Sequence, residues 1–291
     1  MSSQRTDSLS AARPFSLAAL LIALAVTPIY AVSIDGPLLF DDVPNIVDNN
    51  FLHIGGGEFD DWRIASESGI ASRFGRPLAM LSFAVNYVIA GDFVAAHLKA
   101  VNLGIHLLTG LLAAALFQCL LRAPAMPALS RDQIAVLSLF AAAIWLLHPL
   151  HVSTVLYTVQ RMAQLSTLLV VAGLLLFTHR RLVWAERGAN PGELVAIALW
   201  VLMFTLLAFL SKENGLLLPG LLVVVEVTLF RGAWRGGSCR RLYLSCWACL
   251  LLPPLGILIS LFVAPELIHG LYGGREFTLE ERLLTLSLIH I

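Results

Sequence analysis

Long apolar runs alternate with short polar stretches along this chain. The runs cover residues 15–34, 98–121, 133–149, 155–178, 194–210, 214–230 and 243–263. Each is near the ~20 residues that a helix needs to cross a bilayer. The pattern predicts an all-α polytopic membrane protein with about seven transmembrane helices. The first run follows Arg5 and Arg13, as in a secretory leader. It is long for a leader, and Tyr30-Ala31-Val32-Ser33 makes a poor cleavage site, so we read it as the first membrane helix.

One apolar stretch breaks the series. PLAMLSFAVNYVIA, residues 77–90, has only 14 residues, which suits an interfacial helix better than a span. Ser82 and Asn86 are four apart and share one face of such a helix. Arginines decide its placement. The polar stretch 122–132 holds Arg122 and Arg131, 179–193 holds Arg180, Arg181 and Arg187, and 231–242 holds Arg231, Arg235, Arg240 and Arg241. Cytoplasmic loops collect such residues. With residues 1–14 inside, seven spans within 15–263 put all three stretches on the cytoplasmic side. Counting 77–90 as a further span would turn most arginines outward. Residues 77–90 are therefore expected to form an outer juxtamembrane helix, with 264–291 an outer C-terminal segment.

Composition agrees with a membrane protein and narrows its partners. Hydrophobic residues make up 58% of the 291 residues and charged ones 13%, against about 25% charged in soluble domains. The formal net charge is zero, which gives no footprint for nucleic acid. Four cysteines lie in or beside apolar runs, and Cys246-x-x-Cys249 has no second pair nearby, so small buried side chains are expected there. The outer loop 35–76 is different in character: it carries eight acids (Asp35, Asp41, Asp42, Asp48, Glu58, Asp60, Asp61 and Glu67) and three arginines. Gly55-Gly56-Gly57 lies here too, but no Lys-Ser/Thr follows, so a turn is expected rather than a phosphate loop.

Four polar groups fall at the outer ends of the runs. Asp41 and Asp42 follow the first. His97, Lys99, Asn102 and His106 open the second. His148, His151, Gln160, Arg161 and Gln164 lie between the third and fourth. Lys212, Glu213 and Asn214 lie between the fifth and sixth. Ionisable groups at membrane depth are costly and usually face a cavity or a partner. Each group also has a plainer reading. The aspartates could be a solvated pair or a cap. His148 and His151 could be a metal half-site, but no third ligand is evident, so packing against Pro149 is expected and no metal site is assigned. Lys212-Glu213 could be a neutralised turn pair, Arg161 could pair with a loop acid, and Glu226 is expected to snorkel to the inner surface. The case for a site is convergence on one face.

A carboxylate opposite cationic groups at a bilayer surface suits a substrate half in lipid and half in water, such as a polyprenyl-phosphate sugar. Its leaving phosphate needs Arg or Lys, and its acceptor hydroxyl needs a general base. Asp41 or Asp42 could be that base. A divalent metal is permitted by the acidic loop without being required.

The strings FDDVPNIVDN, GRPLAMLSFAVNY, HLKAVNLGIHLLTGLL, LHPLHVSTVLYTVQRMAQLSTLL and LSKENGLLLPGLL, in that order over residues 35–285, resemble the membrane domain of tetratricopeptide-repeat-linked protein O-mannosyltransferases and their bacterial relatives. These belong to the C-type glycosyltransferases. The resemblance implies a C-type glycosyltransferase-like fold and a catalytic acidic pair at Asp41 and Asp42. It implies that Gly75-Arg76-Pro77-Leu78 starts the outer helix, so that Arg76 joins the substrate-binding candidates Arg161, Lys212, Glu213, His148, His151, His97, Asn102 and His106. It also implies transfer of a mannose-like sugar, with inversion, from a polyprenyl-phosphate donor to a protein or glycan hydroxyl on the periplasmic face of a bacterial inner membrane. Family members carry more membrane helices and then repeats. The ending ERLLTLSLIHI does not obviously continue that pattern, so a fragment is expected. A transporter or flippase, and a non-catalytic scaffold, are the competing readings.

Overall fold

The computed structural model describes residues 2–70, 74–231, 239–263 and 281. Segment 264–291, apart from residue 281, and Arg235 lie outside the described residues. Among the described residues all regular structure is helical. The helices are α1 (Ser2–Ala31), α2 (Phe59–Glu67), α3 (Pro77–Ala90), α4 (Ala95–Leu120), α5 (Arg131–Leu146), α6 (His151–Leu156), α7 (Arg161–Arg187), α8 (Pro191–Ser211), α9 (Leu218–Leu229) and α10 (Arg240–Val263).

Local chemistry explains several boundaries. Ser130 and Gln133 form a capping box that starts α5, and Asn190 and Glu193 form another that starts α8, with Pro191 at its first turn. Gly91, at φ 74°, closes α3 in the left-handed region that glycine adopts without penalty.

Among the described residues three helical stretches are long and apolar enough to cross a membrane: Ala95–Leu120, Thr158–Arg187 and Pro191–Ser211. Phe15–Ala31 and Pro77–Ala90 are apolar but shorter, and α5 has 16 residues. The apolar run 214–230 is divided: a 3₁₀ turn, Glu213–Leu217, precedes the 12-residue α9.

The fourth predicted run, 155–178, is redrawn. Helix α6 starts earlier, at His151, and stops where Tyr157 turns extended (φ −88°, ψ 106°). A short 3₁₀ turn, Thr158–Gln160, then leads straight into α7. Helix α7 continues to Arg187, so Arg180 and Arg181 lie on helix rather than in a loop. No breaker intervenes before Gly188, and Gly188 ends α7 at φ 76°.

Helix α4 is central, packing on α7, α5 and α1, while α7 also packs along α8. Small residues permit close approach. A Cβ on Gly110 would lie 2.4 Å from Leu146 Cδ2, and one on Gly215 would lie 2.3 Å from the Ala208 carbonyl carbon. A core of Ile46, Leu52, Met80, Phe83, Leu98 and Met162 fastens the loop after α1 onto α3, α4 and α7. Glu226 departs from its expected place. It is buried and receives two hydrogen bonds from Arg181, at 2.8 and 2.9 Å, while the guanidinium lies 4.6 Å from the Phe230 ring centre. Once α7 extends past residue 178, Arg181 reaches α9, and pairing replaces snorkelling.

Candidate functional site

The twin aspartates part company. Asp42 is buried and Asp41 is exposed. Asp42 Oδ1 accepts the Val159 amide at 2.7 Å, and Oδ2 accepts those of Thr158 at 3.3 Å and Leu39 at 3.2 Å. Asp42 thus caps the start of the 3₁₀ turn and α7 from 116 residues away in sequence. Tyr157, at the cap position itself, supplies no side-chain cap. A free helix start needs acceptors for its first amides, and a carboxylate also suits the positive end of the helix dipole. Burial pushes the Asp42 pKa above the usual carboxylate value, while the three amides and the Lys99 charge oppose that rise.

Lys99 holds the other end of the same loop. Its Nζ donates to the carbonyls of Gly36 at 2.6 Å and Pro37 at 3.2 Å. Asp42 and Lys99 together lash the acidic loop to α7 and α4. Beyond Asp42 the chain makes one π-helical turn, Val43–Val47, and the Asn45 side chain donates to the Asp41 carbonyl at 2.9 Å.

Asp41 remains at the surface. Its amide donates to the Tyr157 hydroxyl at 3.1 Å. Phe40 meets the Tyr157 ring edge-on at 6.4 Å and holds the left-handed φ of 45°. A non-glycine residue in that region is strained. The two acids therefore differ by environment: one is tied to backbone amides, and the other is accessible for chemistry.

Arg161 is fully buried two residues past Val159. Its Nε donates to Asn102 Oδ1 at 2.8 Å, Nη1 to the Ser82 carbonyl at 3.1 Å and to Asn86 Oδ1 at 2.6 Å, and Nη2 to the Leu98 carbonyl at 2.8 Å. The Phe83 ring lies 4.4 Å from its guanidinium carbon. Four of the five guanidinium N–H groups are thus engaged by the protein. The loop acid considered as its partner is not among these contacts. Arg161 binds α3, α4 and α7 to one another. Asn102 completes the tie by donating to the carbonyls of Val155 and Thr158, both at 3.2 Å.

A second cluster flanks the same first turn of α7. Arg76, at φ 51° just before Pro77, takes a conformation that the residue preceding proline rarely adopts. Its Nε and Nη2 donate to the two Glu213 carboxylate oxygens at 3.3 and 3.0 Å, and Nη1 contacts Met162 Sδ at 3.2 Å. Lys212 stands beside them, half-buried. Burial lowers its pKa, Arg76 lowers it further and Glu213 opposes the fall. Asn214 Oδ1 accepts from Ser166 Oγ at 3.0 Å. Val159, held by Asp42, and Met162, touching Arg76, are three residues apart, or about 5 Å along a helix axis. The acidic and basic clusters therefore sit on neighbouring turns of one helix start.

The histidines form a separate ladder. Buried His106 donates through Nε2 to the Leu146 carbonyl at 3.1 Å and stacks on Trp145 at 4.9 Å. His151 lies 5.1 Å from His106 and 6.1 Å from exposed His148, ring centre to ring centre. Burial lowers the His151 pKa, and His148 adds to the effect. His97 faces outward from the first turn of α4, whereas its neighbours Leu98 and Lys99 are buried. Among the described residues no group of three His, Cys, Asp or Glu could hold a metal ion. Of the sequence candidates, then, Asp41, Asp42, Lys99, Asn102 and Arg161 meet at the start of α7, and Arg76, Lys212 and Glu213 adjoin them. His106 lies one turn further along α4 from Asn102, where it meets His151 and, through it, His148, and His97 stands apart. Tyr157 was not singled out in the sequence. Its only signal was its position, beside the helix start that the apolar pattern concealed.

No family model matches the chain, and no solved structure matches it. Curated proteins do. The chain is 28% identical over 220 residues to human protein O-mannosyl-transferase TMTC4, covering 72% of this chain and 29% of that protein. Against human protein O-mannosyl-transferase TMTC3 it is 27% identical over 222 residues, covering 73% of this chain and 22% of that protein. The mouse TMTC4 protein gives 28% over 210 residues. The chain thus spans less than a third of the length of the curated relatives it matches. Over most of its own length it is related in sequence to the protein O-mannosyl-transferases, in line with the ordered motifs.

Proposed function

We propose that this chain is the membrane part of a glycosyltransferase that moves a mannose-like sugar from a polyprenyl-phosphate donor to a hydroxyl on a protein or glycan. The observation that carries the proposal is the split between Asp41 and Asp42, beside the Arg76–Lys212 cluster. Asp41 is the general base. Its carboxylate takes the proton of the acceptor hydroxyl while the acceptor oxygen attacks the anomeric carbon. The bond from that carbon to the phosphate oxygen breaks, and its electron pair leaves with the polyprenyl phosphate. Arg76 and Lys212 meet the growing negative charge, with Glu213 fixing the Arg76 guanidinium. Attack from the face opposite the leaving phosphate inverts the anomeric centre. Asp42 and Arg161 act on the frame: one holds the start of α7, and the other binds α3 and α4 to it.

Backbone strain supports this placement. Phe40 and Arg76 are two of the three non-glycine residues with positive φ among the described residues, and they flank the two clusters. In this reading seven spans cross a bacterial inner membrane, the N-terminus is cytoplasmic, the site faces the periplasm, and the polyprenyl tail lies along the helices. Membranes containing the protein, incubated with radiolabelled polyprenyl-phosphate sugars, test the proposal. Label should pass to an acceptor, and Asp41→Asn should abolish that transfer without loss of the protein. Undiminished transfer by Asp41→Asn would overturn it.

A further inference from the structure

We propose that a polar cavity in loop 35–76 is an acceptor subsite that holds one neutral sugar unit of a glycan. The acceptor role rests on the glycosyltransferase reading above, whereas the cavity stands on its own walls. Asn50, Phe51, His53 and Gly55 line it from the loop, and Asp61 and Ile64 line it from α2. Its volume is about 200 Å³. A single water needs only ~10–15 Å³, so the space suits a small molecule rather than an ion.

The walls are held, but their polar groups are left over. His53 donates through Nε2 to the Val47 carbonyl at 3.0 Å, and its ring stacks on Tyr87 at 4.8 Å. A carbonyl only accepts, so in the neutral ring Nδ1 keeps its lone pair. Asn49 accepts the Phe51 amide at 3.3 Å and donates to the Ser68 carbonyl, at the end of α2, at 3.2 Å. Neighbouring groups are matched: Asp60 pairs with Arg63 at 3.3 Å, and Trp62 Nε1 donates to the Gly56 carbonyl at 3.2 Å. Among the described residues, the Asp61 carboxylate and the Asn50 side-chain amide have no protein partner, although Asp61 is half-buried.

These groups select the ligand. Asp61 and His53 offer acceptors, and Asn50 offers both a donor and an acceptor, which suits neighbouring hydroxyls. No lysine or arginine lines the cavity among the described residues, so a phosphate or carboxylate finds no counter-charge. The negative face of the Phe51 ring suits the C–H groups of a pyranose. A neutral sugar unit meets all three conditions. The cavity is also tied to Asp41. Asn45 donates to the Asp41 carbonyl at 2.9 Å, and Asn49 donates to the Asn45 carbonyl at 3.4 Å. This ladder of asparagines holds the cavity and the base in one piece, so a seated sugar keeps its glycan beside the loop that carries Asp41.

Two readouts test this on the whole chain in a detergent without sugar head groups. The first needs no transfer activity. Saturation-transfer NMR with the methyl α-glycosides of mannose, glucose and galactose should show binding of at least one of them. Asp61→Asn and Phe51→Ala should each weaken that binding about tenfold, with melting temperatures near that of the parent. Phe51 is exposed, so this arm holds even if Asp61→Asn folds poorly. The second readout is transfer to a glycan acceptor, whose KM should rise about tenfold in both variants while the donor KM holds. Absence of binding by all three glycosides would overturn the inference. So would equal binding by the parent and both variants, or a serine-rich peptide that binds in place of the glycosides and is lost in the same variants. If glycoside binding depends on Asp61 and Phe51 but the membranes transfer no sugar, the cavity is a sugar site as inferred and the proposed transfer reaction fails.

Discussion

Asp42 accepts the amide of Val159 at 2.7 Å across 117 residues of chain, and thereby supplies the cap of a helix that has no local one. The bond joins the acidic loop to the turn that carries Tyr157, Arg161 and Met162.

The two aspartates should therefore respond differently to the same substitution. Asp41→Asn leaves the fold untouched and removes transfer. Asp42→Asn faces buried amides with a group that can accept through only one of its two atoms. It should cost about 1–3 kcal/mol and lower both thermal stability and activity. Melting in detergent, set beside transfer rates, separates the two. Equal melting temperatures for the variants would contradict the division.

Arg161→Met should be worse for folding than either. It strips partners from the Asn102 side chain and the Leu98 carbonyl, both buried, and from the half-buried Asn86 side chain and Ser82 carbonyl. Each orphaned acceptor costs on the order of 1–3 kcal/mol. Folded protein should be nearly absent on size-exclusion chromatography. A well-folded Arg161→Met protein that lacks only donor binding would return Arg161 to the donor site.

Lys212 sets a pH dependence. Its pKa lies below the ordinary 10.5, first through burial and then through Arg76. The protonated form attracts phosphate. Donor affinity should thus be full below the lowered pKa and fall as pH rises through it, earlier than for a solvated lysine. Lys212→Arg keeps the charge and should flatten this alkaline decline. Donor KM measured across alkaline pH gives the comparison, and identical curves would remove Lys212 from the donor site.

The Arg181–Glu226 pair tests packing far from the chemistry. Glu226→Gln leaves a buried guanidinium with a neutral partner and should cost about 3–5 kcal/mol. Replacing both residues by methionine should recover much of that loss. Thermal unfolding of the single and double variants makes the cycle, and a double variant no more stable than the single one would count against a closed, buried pair.

Much of the architecture was legible in the residue pattern. Uninterrupted apolar stretches marked α4, α5, α8 and the body of α7, because helix formation in these segments depends chiefly on local composition. The 14-residue length of residues 77–90 also marked α3. The acidic pair, the buried arginine and the Lys-Glu turn could be named because charges stand out in an apolar chain. Their roles could not. Residues 41 and 42 are adjacent, yet one turns inward and the other outward, since the destination of each depends on a helix start more than a hundred residues away. Arg161 could not be told from a ligand-binding arginine until α3 and α4 brought four acceptors around it. Glu226 found Arg181 only because α7 and α9 lie side by side. Local sequence thus determined which segments are helical and which positions carry charge. Which charges face one another, and which remain accessible for chemistry, was decided by helix packing, because burial and hydrogen-bond partners are properties of neighbours in space.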